Sequence, residues 1–60
     1  MSKYYYQHYS DIPPNMEEYI RNVVGVRNVT TLSLNEINQF IRDMEDWYKS
    51  HGQDFADFVE

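Results

Sequence analysis

Residues 33–50 constrain this chain more than any other stretch. Ser33-Leu34-Asn35-Glu36 has the form of a capping box, in which the serine hydroxyl accepts from the Glu36 amide and the Glu36 carboxylate accepts from the Ser33 amide. Directly behind it, Leu34, Ile37, Phe40, Ile41, Met44, Trp47 and Tyr48 recur every three or four residues, the period of a helix with one apolar face. The two signals together predict a helix over 34–50. The same alternation continues through Leu34, Ile37, Ile41, Met44, Tyr48, His51, Phe55 and Phe58, a heptad-like seam running to the end of the chain. Gly52 interrupts it. Either the helix passes through, at a cost of about 1 kcal/mol relative to alanine, or Gly52 helps end it and a short third helix spans about 54–59. The sequence leaves both readings open.

A shorter helix is predicted over 16–24. Asn15 can cap it, and Glu18 three residues on completes a second capping-box pattern. Met16, Tyr19, Ile20, Val23 and Val24 share one face, and Gly25 is placed to end the helix. Val26 to Leu32, with Val29 and Thr30-Thr31, favours extended backbone. A single short strand has nothing to pair with, so a connector with at most an isolated β-bridge is expected. Upstream, Asp11-Ile12-Pro13-Pro14 halts regular structure, because proline lacks an amide donor and biases the residue before it to extended geometry. Residues 1–15 therefore read as an extended arm. Tyr4, Tyr5, Tyr6 and Tyr9 are too many aromatics for an arm standing free in water, and some are expected to lie against the helices. The predicted fold is all-α: a helical hairpin of one short and one long helix, with 16–60 a single helical domain behind the arm.

Sixty residues bury only about 60 % of their unfolded surface, so the core is marginal. No cysteine is present, which removes disulfides and thiolate metal sites and suits a reducing compartment. Helix packing and self-association remain as means of stabilisation. The first residues do not read as a signal peptide, and no run approaches the roughly 20 apolar residues of a membrane span. A soluble cytoplasmic protein with no membrane partner is the expectation.

Ten acids face five bases, a formal net charge of −5. Residues 1–33 are balanced. The excess lies in 34–60, where Glu36, Asp43, Glu45, Asp46, Asp54, Asp57 and Glu60 face only Arg42 and Lys49. Acidity on this scale repels phosphates and argues against direct nucleic-acid binding. A helix-turn-helix fails for the same reason, since the second helix carries acids where a recognition helix needs basic and polar groups.

Catalytic groupings are sparse. His8 and His51 are the two histidines, and Ser50-His51 are adjacent, so on a helix they point in different directions and form no dyad. Gly25 and Gly52 stand apart and make no phosphate-binding loop. His51 with Gln53, Asp54 and Asp57 offers one nitrogen ligand, whereas zinc wants three or four nitrogen or sulfur donors. The chain is expected to be no enzyme and to bind neither metal nor cofactor.

What remains is binding to a protein. Three Phe, six Tyr and one Trp are a heavy aromatic load for this length. Part of it can simply supply bulk to a small core. Yet Phe40 and Trp47 widen the apolar stripe beyond the seam, and a first helix of about nine residues is too short to cover it. Tyr and Trp are also favoured at interface hot spots. The candidate partner-binding residues are Phe40, Met44, Trp47, Tyr48 and Phe55, with Tyr5 and Tyr6 from the arm. Asp43, Asp46 and Asp57 are the candidate acidic face. If the second helix ran through Gly52, Glu36, Asp43, Ser50 and Asp57 would form one row seven residues apart, and Gln39, Asp46, Gln53 and Glu60 another. The sequence points to a small acidic protein-binding module, a regulator or inhibitor of a host or partner protein. A self-assembling helical module is the alternative, and a nucleic-acid-mimicking inhibitor of a DNA-binding protein a third.

Overall fold

The chain enters its first helix on a proline pair. In the computed structural model, which describes residues 3–60, helix α1 spans Pro14–Val24 with Pro13 as its N-cap. Met1 and Ser2 of the predicted arm lie outside the described residues. Pro14 suits the first helical position because its fixed φ is already helical and its missing amide is one that a helix start leaves unbonded anyway. The Glu17 amide donates to the Pro13 carbonyl at 2.9 Å. The start at Met16 with an Asn15 cap is thereby corrected: the proline pair begins the helix two residues earlier, and Asn15 sits inside the first turn. Met16 and Ile20 face the core at 1 % and 0 % exposure, whereas Val23 and Val24 overrun it and are largely exposed. Gly25, at φ +85°, closes the helix as predicted, its amide donating to Arg21 O at 2.8 Å.

The connector turns instead of extending. Val29–Thr31 form a 3-10 turn, with the Thr31 amide and hydroxyl both donating to the Asn28 carbonyl at 3.1 and 2.7 Å. Local bonds thus satisfy the backbone, and Val29 drops into the core at 4 % exposure. Among the described residues there is no strand or bridge.

Helix α2, Leu34–Ser50, begins on the predicted capping box, both bonds of which form: the Glu36 amide donates to Ser33 Oγ at 3.1 Å and the Ser33 amide to Glu36 Oε1 at 3.0 Å. Ile37 and Ile41 are fully buried, and Leu34, Phe40, Met44 and Tyr48 are partly so. The helix ends before Gly52. Its φ of +71° lies in the left-handed region that side chains disfavour, and the Gln53 amide folds back to Tyr48 O at 2.8 Å. The chain then reverses into helix α3, Ala56–Val59, where Asp54 Oδ1 accepts the Ala56 amide at 3.0 Å. Of the two readings left open at Gly52, the structure takes the short third helix. The heptad-like seam is consequently not one line.

The reversal makes the core possible. α3 returns to α1, and Phe55 and Val59 join Ile12, Met16, Ile20, Val29, Ile37 and Ile41 in one buried cluster. Tyr4 completes it at 8 % exposure, edge-on to Phe55 with ring centres 5.6 Å apart. The arm's backbone is held from α2. Asn38 accepts the Tyr6 amide at 3.0 Å and donates to the Tyr6 carbonyl at 2.9 Å, pairing as a neighbouring strand would. The Tyr9 hydroxyl donates to the Leu32 carbonyl, and Tyr9–Asp11 form a second 3-10 turn ahead of α1.

Candidate functional site

Aromatic side chains from all three helices meet along one side of the molecule. Tyr19 of α1 packs on Phe40 of α2 with centres 6.3 Å apart, and its hydroxyl is bonded to that of Tyr48 at 3.1 Å. Tyr48 stacks on Phe58 of α3 at 4.7 Å and is edge-on to Trp47 at 5.2 Å. Trp47 in turn stacks on His51 at 4.0 Å, and the His51 ring is fixed by a 2.8 Å hydrogen bond between Nδ1 and Trp47 O. These contacts make a continuous ridge. Its flank is anchored, because Tyr19 and Tyr48 both touch the buried Phe55 at 5.3 Å. Its crest is open, because Trp47 and Phe58 are each 49 % exposed.

The ridge exists because of where Gly52 turns the chain. A continuous helix would carry Phe58 about 15 Å past Tyr48, at 1.5 Å per residue; the reversal instead lays the two rings face to face. Burial first, and then the bond to Tyr48, push the Tyr19 hydroxyl well above the usual tyrosine range.

Carboxylates border the ridge. One shallow depression beside Phe40 is lined by Asn35, Glu36, Gln39 and Asp43. Another, beside Phe58 and Tyr19, is lined by Asn15, Glu18 and Asn22. The lysines and arginines of the same helices stand elsewhere. Arg42 and Lys49 are two positions along from Phe40 and Trp47, and Arg21 is two positions along from Tyr19. At 3.6 residues per turn each is nearly opposite on its helix. Arg21 is also paired with Glu17 at 3.8 Å.

The structure thus brings Phe40, Trp47 and Tyr48 into one aromatic array through Tyr19, and Met44 is partly buried against the core. Phe55, at 3 % exposure, belongs to the core and offers no surface to a partner. Tyr6 is half-buried and pinned by Asn38, and Tyr5 is 65 % exposed but shares no ring contact with the ridge. Asp43, Asp46 and Asp57 are all exposed. Their alignment with Glu36 and Glu60 in two long rows required a helix through Gly52, and the turn there removes it. Asp43 borders the ridge, Asp46 stands one position before Trp47 and about 100° round α2 from it, and Asp57 is carried on α3. Phe58, which periodicity placed in the seam, reaches the ridge through the Gly52 turn, and Glu18 and Glu36, read from the sequence as capping residues, border it as well. Phe55 and Phe58, three residues apart, read as one face of a helix, and no pattern in the sequence said that Phe55 would be buried and Phe58 exposed. Among the described residues no three His, Cys, Asp or Glu side chains converge on a point that could hold a metal ion. No helix among them is long and apolar enough to cross a membrane.

No family model, curated protein or solved structure matches this chain.

Proposed function

We propose that this protein is a protein-binding module that regulates or inhibits its partner by occupying it through the aromatic ridge. The observation that carries the reading is the exposure of Trp47 and Phe58. Both are packed into the aromatic array, yet both leave about half of their surface in water beside a core that is already filled. Exposed apolar area of this kind is unfavourable by roughly 25 cal/mol per Å² relative to burial. A contiguous stretch of it, bordered by polar groups, is the usual form of an interaction site. Preorganised aromatics also lose little entropy on binding. On this reading the protein has no chemical step of its own. It works in the cytoplasm, where a cysteine-free chain is indifferent to reducing conditions.

The test compares two baits, the wild-type protein and Trp47→Ser/Phe58→Ser, both checked for helical circular dichroism. A partner retained by the first should bind the second at least about 30-fold more weakly, as loss of a hot spot of about 2 kcal/mol requires. If purified partners bind both baits equally, the ridge is not the site.

A further inference from the structure

The borders of the ridge say what kind of segment it fits. Resting on the reading above, we propose that its occupant is a basic amphipathic helix of another protein, with apolar anchors seated on the ridge and Lys or Arg beside them.

Three observations lead there. First, carboxylates stand on both flanks of the aromatic ridge: Glu36 and Asp43 next to Phe40, and Glu18 next to Phe58 and Tyr19. The helix-borne bases Arg21, Arg42 and Lys49 are turned away from it. A partner that covers the aromatics therefore brings its own rim against acids, and cationic groups there are complementary. Second, the same arrangement disfavours a second copy of this chain. A two-fold interface centred on the ridge is self-complementary in shape only if the same patch meets itself, and it would set Glu18, Glu36 and Asp43 of one copy against those of the other. Third, the spacing suits a helix. Phe40 and Trp47 are seven residues apart on one face, about 10 Å along α2. Anchors at i, i+3 or i+4, and i+7 of a partner helix span the same length. An extended segment adding to a sheet edge has no edge to use, since the described residues contain no strand.

The probe is a displayed library of helical peptides with randomised surface positions. It is selected on the full-length protein and counter-selected on Trp47→Ser/Phe58→Ser. The enriched peptides should carry apolar anchors at helical spacing with an excess of Lys and Arg beside them. Their association rate should fall severalfold with added salt, and likewise on Glu18→Gln/Glu36→Gln/Asp43→Asn, with dissociation little changed. Gln at position 36 keeps the capping box, so the neutral variant retains its helix. Peptides that need Trp47 and Phe58 but are neutral or acidic would overturn the basic occupant and leave the ridge as a binding site. Failure of any peptide to distinguish wild type from Trp47→Ser/Phe58→Ser would overturn both. A concentration-dependent dimer in sedimentation, abolished by Trp47→Ser/Phe58→Ser, would replace the basic helix with a second copy.

Discussion

Trp47 and Ile37 sit on the same helix and serve different ends. Ile37 is fully buried, and Ile37→Ala should cost about 2–5 kcal/mol. That is a large share of the roughly 3–9 kcal/mol expected of a domain this size, so urea denaturation followed by circular dichroism should find its midpoint sharply lowered. Trp47→Ser/Phe58→Ser removes more atoms, but from side chains half in water, so it leaves no enclosed cavity and should cost about 2–3 kcal/mol in partial burial and in contacts with Tyr48 and His51. Tyr19 joins the two regimes. Burial raises its proton affinity in the folded chain, as it does for Tyr4 and Tyr6. The stability this contributes is complete below the ordinary tyrosine value of about 10 and is lost as pH rises beyond it. Denaturation midpoints should therefore fall steeply in alkali. Tyr19→Phe, which gives up the bond to Tyr48, should cost about 1 kcal/mol at pH 7 and soften that alkaline fall; a wild-type midpoint unchanged up to pH 11 would contradict the buried assignment.

At the scale of elements, Gly52 is where the chain chooses its topology. In a continuous helix Gly52→Ala would stabilise by up to about 1 kcal/mol. At φ +71° with open space around the missing Cβ, it should instead destabilise by about 1 kcal/mol through backbone strain alone. The sign of that change in a thermal melt decides between the two. The α2 capping box was fully legible, because it is written in four consecutive residues, and Ser33→Ala should cost about 1 kcal/mol. The bond from the Ser33 backbone, then that to its side chain, lower the Glu36 pKa. Its contribution is therefore present above the unfolded carboxylate range and fades as acid protonates the folded group. The start of α1 was less legible. A capping pattern at Asn15 competed with a proline pair, and a fixed backbone angle prevailed over a side-chain cap. The connector misled because Val and Thr favour strands on average, whereas a 3-10 turn closed by the Thr31 hydroxyl satisfies the same residues locally.

At the scale of the whole molecule, the hairpin of one short and one long helix was readable from periodicity, and the way its ends meet was not. Tyr4 and Val59 enter the core from opposite ends of the chain, and Lys3 pairs with Glu60 at 3.5 Å. No local pattern encodes such contacts. That solvent-exposed pair is screened by water and salt, and Lys3→Ala should leave the melting temperature nearly unchanged. The ridge was half legible for the same reason: Phe40, Trp47 and Tyr48 follow from helix α2 alone, whereas Phe58 reaches them only through the Gly52 turn. The turn also bears on the rival readings. A self-assembling seam and a long acidic mimic of nucleic acid both drew on an unbroken helix from Leu34 to Glu60, whereas the ridge depends on the break. The aromatic crest stands open in the free protein, and Trp47, the sole tryptophan of the sequence, reports on it directly. Collisional quenching of its fluorescence by acrylamide, measured across a hundredfold range of protein concentration, should show an accessible indole whose quenching constant does not change. An indole shielded from acrylamide, at all concentrations or increasingly as the protein is concentrated, would contradict an open ridge.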